Sequence, residues 1–223
     1  MRSGLAFNAL IKLLSGFIII ALLLFLPAGT LYFSNGWLLM GLLFIPMIIL
    51  GMLLLAKNPS LLEKRLRTKE KESKQKGVIA ASLLMFTSGF LAAGLDFRFS
   101  WSSLPPWLTI ISSLIFLFAY FMYAEVLREN TYLSRTVEVQ QEQKIIDTGL
   151  YGIIRHPMYT ATILMFLSMP LILGSLISFV IFLVYPVIII IRLKNEEQVL
   201  EEGLDGYTEY KKKLKYRLLP FIW

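Results

Sequence analysis

The stretch LLSGFIIIALLLFLPAGTLYF, residues 13–33, contains 21 residues and no charged side chain. Crossing a hydrocarbon core of about 30 Å takes about 20 helical residues, so this stretch predicts a membrane span. Arg2 and Lys12 ahead of it also fit a cleaved signal peptide, but the apolar run continues past Pro27 without a small-x-small cleavage pattern. The whole chain is 57% hydrophobic, with a mean hydropathy of +0.67. This composition favours the bilayer as solvent.

Three further stretches are long enough to cross a bilayer, and a fifth apolar region is interrupted. Gly174 and Ser175 divide the fifth region, residues 158–191, into two arms of about 16 residues, each roughly 24 Å long as a helix. We therefore expect an all-α, polytopic integral membrane protein with four transmembrane helices and a C-terminal helical hairpin, or five to six membrane segments. The four long spans are predicted over residues 13–33, 37–56, 78–95 and 107–127.

The distribution of lysine and arginine predicts the orientation. The loop at residues 57–76 contains eight of them, and basic loops stay on the cytoplasmic side. The next loop, DFRFSWSSLPP (residues 96–106), contains only Arg98, and Trp101 suits the opposite interface. The region from residue 128 onward then returns to the cytoplasm, apart from the hairpin. The membrane would be the plasma membrane in a prokaryote and the endoplasmic reticulum in a eukaryote.

Net charge and rare residue types narrow the classes of partner. The net charge of +7 lies close to membrane segments, so anionic lipids and the positive-inside bias explain it better than nucleic acid does. We expect membrane lipids as partners and no nucleic acid. The absence of cysteine excludes thiolate metal sites, and a single histidine argues against a histidine-rich one, so no metal is predicted.

The only histidine lies in the motif GLYGIIRHPMYTATI, residues 149–163. Pro157 disfavours helical geometry at His156 and suits the first turn of a helix, so His156 is expected at the start of the hairpin. Free N–H groups at a helix start, together with Arg155, favour an anion. Alternatively, Arg155 and His156 only anchor the hairpin at the lipid headgroups.

A second polar cluster, RLKNEE (residues 192–197), follows the hairpin. Arg192 and Glu196 are four residues apart and lie on one helical face, with Glu197 adjacent. Acidic side chains near a membrane exit favour a cationic partner. The alternative is an ordinary solvated helix in which Glu196 pairs with Arg192.

The motifs TGLYGIIRHPMY (residues 148–159), RLKNEE and GYTEYKKKLKYRLLPFIW (residues 206–223) occur in that order. Together they resemble the isoprenylcysteine carboxyl methyltransferase family of integral-membrane enzymes that use S-adenosylmethionine. The resemblance covers residues 128–223, which it identifies as a catalytic, cofactor-binding region with the hairpin and a C-terminal amphipathic helix. Residues 1–127, with the basic loop, match only as generic spans.

The resemblance implies a cofactor enclosed at the cytoplasmic end of the last helices, beneath a C-terminal segment, and a lipophilic substrate that enters from the bilayer. Glu196 would bind the cofactor's ammonium group and Arg192 would hold the acceptor. Arg155 suits the cofactor's carboxylate, and either Glu196 or Glu197 would take a proton from an amine substrate. The remaining cofactor residues would be Gln143, Lys144, Ile145, Ile146, Tyr151, His156, Pro157, Met158 and Tyr159.

Two residues depart from the family pattern, and three other functions stay open. Leu150 stands where many relatives have proline and Ala161 where they have glycine, which affects pocket shape and therefore substrate choice. Carboxyl methylation of an isoprenylcysteine-like substrate is the function that the resemblance favours. The alternatives are amine methylation of a phospholipid, an NADPH-dependent enzyme similar to sterol reductases, which share the hairpin and the ending of the chain, and a non-catalytic lipid-binding protein.

Overall fold

The computed structural model describes residues 2–66, 73–134, 136–137 and 139–223, and its regular structure there is helical throughout. This confirms the all-α fold. Residues 67–72 of the basic loop predicted at residues 57–76 lie outside the described ranges. The helices are α1 (Arg2–Ala28), α2 (Ser34–Lys57), α3 (Pro59–Leu66), α4 (Ser73–Phe99), α5 (Pro106–Glu129), α6 (Pro157–Ile172), α7 (Leu176–Phe182), α8 (Val184–Gly203) and α9 (Tyr207–Lys213).

Helix length and composition confirm a polytopic membrane protein. Five helical segments of the described residues are long and apolar enough to cross a bilayer, and α6 is a shorter apolar helix. Large apolar side chains such as Leu84, Leu114 and Phe121 point outward, as expected for a bundle surrounded by lipid. The five segments are Ser3–Ala28, Ser34–Lys57, Gln75–Phe99, Pro106–Glu129 and Leu176–Gly203.

Two helices differ in extent from the predicted membrane segments. The first helix begins at Arg2 and ends at Ala28, because the backbone at Gly29 turns left-handed with φ 70°. The hairpin's second arm continues to Gly203 instead of ending at residue 191, with a short break between α7 and α8. Helical order continues there because Asn195 and Glu197, although polar, are buried and paired.

Consecutive long helices run in opposite directions and share one core. The closest packing joins α5 to α6, α1 to α4, and α4 to α7 and α8. We call the end of the bundle where α2 and α5 stop and α4 starts the basic end. Lys12 of α1 donates to the Leu66 carbonyl at the end of α3, which places the start of α1 at this end as well.

At the opposite end, one buried carboxylate fixes the turn of the hairpin. Asp96 of α4 accepts from the Ser102 amide at 2.7 Å and from the Ser102 hydroxyl at 2.7 Å. The hydroxyl of Ser175 also donates to Asp96 and accepts from the Ser178 amide, which caps α7. The hairpin is therefore anchored to α4, and its open ends lie at the basic end.

Candidate functional site

A cleft at the basic end encloses about 900 Å³ of empty space, its open mouth included. Its walls are the loop after α5, the start of α6, one face of α8, and α9. Eleven of the thirteen predicted site residues line it: Gln143, Lys144, Ile145, Ile146, Tyr151, Arg155, His156, Met158, Tyr159, Arg192 and Glu196.

One face of α8 forms the floor of this cleft. Arg192, Glu196 and Leu200 recur every four residues and therefore lie above one another on the helix. Val199, next to Leu200, and Leu204, the residue after α8, also line the cleft. The cleft thus has a charged part near the membrane segment of α8 and an apolar part roughly 10 Å further along the helix.

Tyr159 of α6 links the two charged residues of that face. Arg192 Nε donates to the Tyr159 hydroxyl oxygen at 3.0 Å, and the Tyr159 hydroxyl donates to the Glu196 carboxylate. Arg192 Nη1 also donates to Gln75 Oε1 of α4 at 3.0 Å. The hairpin and α4 together therefore hold an arginine and a glutamate side by side at the wall of the cleft.

Glu197 does not line the cleft, although it neighbours Glu196. Its side chain is 4% exposed, and Oε1 lies 2.7 Å from Arg155 Nη2 and 3.2 Å from His156 Nε2. The other oxygen, Oε2, accepts from Arg217 Nε at 3.1 Å. Pro157, the first residue of α6, is likewise absent from the lining. Glu197 is thus a buried ionic centre that joins α8 to the start of α6 and to the C-terminal segment.

Arg155 lines the cleft, but its guanidinium mainly holds the C-terminal segment. Besides its contacts with Glu197, Nη1 donates to the Leu214 carbonyl at 2.7 Å. The Arg155 and His156 amides donate to the carbonyls of Tyr216 and Arg217 at 2.9 and 3.0 Å. The Arg155 guanidinium, which was predicted to bind an anionic ligand, therefore binds the protein's own carboxylate and carbonyl groups.

The turn Gly149–Gly152 holds Tyr151 against the cleft. Asn130 Nδ2 donates to the Tyr151 hydroxyl oxygen at 3.0 Å, and the Tyr210 hydroxyl donates to the Tyr151 carbonyl at 2.7 Å. Burial raises the pKa of Tyr151 above its usual value despite the hydrogen bond from Asn130, so the phenol stays neutral. Its ring can therefore present an electron-rich face to a cation.

Gly149 is required at the start of this turn. Its φ is 51°, and a Cβ there would lie 1.7 Å from Glu129 Oε1. Glu129 in turn accepts from the Leu150 amide at 3.2 Å, so it cannot withdraw without losing that bond. Glycine at this position thus lets the chain pass close to the end of α5.

We expect Gly149→Ala to lower the free energy of unfolding by about 2–4 kcal/mol, because it adds left-handed strain to a steric clash. Thermal unfolding in detergent, followed by circular dichroism, measures the effect. Gly77→Ala is the matched control, since no atom lies within 4 Å of a Cβ there. Equal melting temperatures for both variants would contradict the account of the turn.

Sequence reasoning missed half of the cleft. Val199, Leu200 and Leu204 follow Arg192 and Glu196 at helical spacing, so extending that pattern would have found them. Tyr207 and Tyr210, three residues apart on α9, were also recognisable as one face. The loop after α5 has no periodic signal, and it contributes Asn130, Tyr132, Leu133, Ser134, Thr136 and Val137.

Comparison with known proteins supports a methyltransferase. Residues 107–205 match the family model described as phospholipid methyltransferase. The matched segment is less than half of the 223 residues. A stretch of 91 residues is 26% identical to the Delta(14)-sterol reductase TM7SF2 of Mus musculus, and covers 40% of this chain but 22% of that protein. The chain therefore spans about a fifth of the length of this curated relative. Over residues 107–205, the chain is similar to a family of membrane methyltransferases.

Proposed function

We propose that this protein transfers a methyl group from S-adenosylmethionine to a lipophilic acceptor at the cytoplasmic face of a membrane. One observation carries the proposal: Arg192, Tyr159 and Glu196 form a hydrogen-bonded row on the wall of a cleft, inside the segment that matches the methyltransferase family. The basic end faces the cytoplasm in this proposal, because it carries the lysine- and arginine-rich loop.

The donor set of the cleft suits S-adenosylmethionine, which has an ammonium group, a sulfonium, a carboxylate and an aromatic base. Glu196 is the acidic group that an ammonium requires. The rings of Tyr151, Tyr207 and Tyr210 offer faces to a cation, each worth roughly 0.5–2 kcal/mol. The apolar part of the cleft, which includes Ile145 and Leu200, suits a base. Gln143 and Lys144 would bind the cofactor's carboxylate, because the Arg155 guanidinium already binds Glu197 and the Leu214 carbonyl.

When bound, S-adenosylmethionine supplies an electrophilic methyl group. Arg192 can hold an acceptor carboxylate bidentately and orient it, while Tyr159 and Gln75 fix the guanidinium. Transfer of that methyl group to a carboxylate oxygen would leave an ester and S-adenosylhomocysteine. No proton is transferred, so no general base is needed. We therefore propose an isoprenylcysteine-like carboxylate as the acceptor.

A phospholipid amine is the second candidate acceptor, because the matching family is that of phospholipid methyltransferases. An amine releases a proton when it is methylated. Glu196 faces the cleft and can accept that proton, whereas Arg155, His156 and Arg217 already surround Glu197. Of the two glutamates, Glu196 is therefore the better candidate base.

Titration of the purified protein in detergent tests the cofactor. We expect S-adenosylmethionine and S-adenosylhomocysteine to bind in isothermal calorimetry and NADPH not to bind. Glu196→Gln should weaken S-adenosylmethionine binding by about tenfold or more, because it removes a charged hydrogen-bond partner. Glu202→Gln, an exposed change on the same helix, is the control.

Two results would overturn the proposal. Binding of NADPH alone would favour a reductase, in line with the similarity to the sterol reductase. Unchanged binding of S-adenosylmethionine by Glu196→Gln would remove Glu196 from the site.

A further inference from the structure

Arg65, which no part of the proposed reaction uses, lies beside the cleft. It is half-buried near the end of α3, and its Nη1 donates to the Ser134 carbonyl at 3.1 Å. Nη2 donates to the Tyr123 hydroxyl oxygen of α5, and Nη1 lies 3.8 Å from Met158 Sδ of α6. Since Ser134 and Met158 line the cleft, the guanidinium stands at its border.

The partners of this guanidinium are all neutral. Among the residues that the structure describes, no carboxylate lies within 4.0 Å of Arg65. Arg155 shows the contrast, because Glu197 pairs with it directly. Because the described residues give this half-buried cation only neutral partners, an anionic ligand can supply its counter-ion.

An apolar groove on the outer surface leads toward Arg65. It lies between α2 and α5 and encloses about 560 Å³ of empty space, open side included. Phe121 is 69% exposed there, so the groove opens to the side of the bundle where lipid would lie. Its lining is entirely apolar or aromatic: Pro46, Ile49, Leu50, Leu53, Leu117, Tyr120, Phe121 and Ala124.

A short series of contacts connects the groove to the cation. The Tyr120 ring of the groove lies 6.2 Å from the Tyr123 ring, centroid to centroid, and Tyr123 contacts Arg65 through its hydroxyl. Along α5, the groove residues from Leu117 to Ala124 cover roughly 10 Å. The apolar groove and the positive charge are therefore separated by one aromatic side chain, Tyr123, and together they suit a lipid with an apolar chain and an anionic headgroup.

We propose that Arg65 and the groove between α2 and α5 form a binding site for an anionic phospholipid. The phosphate binds the Arg65 guanidinium and one acyl chain lies in the groove. Arg65 belongs to the lysine- and arginine-rich segment of the chain, which attracts anionic lipid. An arginine guanidinium can also bind two oxygens of one phosphate at the same time. The proposal concerns lipid recognition beside the cleft and so goes beyond the methyl transfer reaction.

Displacement of a fluorescent phosphatidylglycerol from the protein in detergent tests the site. Dioleoylphosphatidylglycerol carries both chain and charge, dioleoylglycerol carries only chains, and glycerol 3-phosphate carries only the charge. We expect the first to displace the probe at least about tenfold better than either of the others. Arg65→Gln should abolish this advantage, and Arg65→Lys should keep part of it because the charge remains.

Two further variants distinguish the contribution of the Arg65 charge from that of acyl-chain binding in the groove. Lys57→Gln removes a positive charge from the exposed end of α2 and should leave displacement unchanged. Leu53→Trp fills the groove and should weaken phosphatidylglycerol binding with Arg65 intact. Calorimetry with S-adenosylmethionine verifies that each variant is folded. If Arg65→Gln retains the wild-type preference, or if glycerol 3-phosphate competes as well as the phospholipid, the proposal is wrong.

Discussion

Glu197→Ala is expected to destabilise the protein by about 3–5 kcal/mol, because it leaves buried cations without their anion. Glu197 pairs with Arg155 and Arg217 and contacts His156, and its own side chain is 4% exposed. Arg155 would keep its carbonyl partners in the C-terminal segment, but its charge would be uncompensated in a medium of low dielectric constant. The start of α6 and the C-terminal segment should then separate from α8.

Thermal unfolding in detergent and limited trypsin digestion measure this effect. We expect a lower melting temperature and new cleavage at the lysines of α9 and the segment after it. Glu202→Gln, on the exposed side of α8, controls for the loss of one negative charge. Wild-type melting and digestion of Glu197→Ala would show that the ionic centre does not hold the C-terminal segment.

Arg192→Ala is expected to lower kcat by about 10²–10³-fold, because positioning and charge stabilisation of the acceptor would both be lost. The affinity for S-adenosylmethionine should change little, because Glu196 remains. Arg192→Lys should recover only a small part of the rate, since an ammonium cannot replace the planar contact with two oxygens. Transfer of the radioactive methyl group to an isoprenylcysteine analogue gives kcat, and calorimetry gives the cofactor Kd.

The same assay, with a phospholipid amine offered beside the isoprenylcysteine analogue, distinguishes the two candidate acceptors. A methyl ester releases methanol in base, whereas a methylated amine keeps its methyl group. If the product is base-stable and Arg192→Ala retains full activity, the acceptor is an amine and Arg192 does not position it. A parallel loss of cofactor binding in Arg192→Ala would instead assign Arg192 to the cofactor.

The hydrophobic runs of the sequence were sufficient to predict the fold class, and the motifs were sufficient to predict half of the residues that line the cleft. Apolar stretches of about 20 residues predict spans because the bilayer fixes their length. The end of α1 was missed because a left-handed residue at Gly29 stops a helix inside an apolar run. The apolar run ends at residue 191, but α8 continues to Gly203 because partners from distant segments bury its polar residues. Local hydropathy does not contain that information.

The division of labour between Glu196 and Glu197 also required the structure. Adjacent residues on a helix point about 100° apart, so the sequence shows that they differ in direction without showing which one faces the cleft. Glu196 accepts a hydrogen bond from Tyr159 at the wall of the cleft, whereas Glu197 pairs with Arg155 and Arg217 outside the cleft. Arg65 was equally invisible, because it lies 58 residues before Tyr123 in the chain.

The contacts of Arg155 and His156 with the backbone of Tyr216 and Arg217 have a consequence for biosynthesis. The helices up to α5 can insert into the membrane and pack while the chain is still growing. Arg217, however, is one of the partners of Glu197, so the ionic centre beside the cleft cannot be complete before residue 217 has been synthesised. A ribosome that stalls before residue 216 therefore leaves the helices up to α5 without the contacts that complete the wall of the cleft.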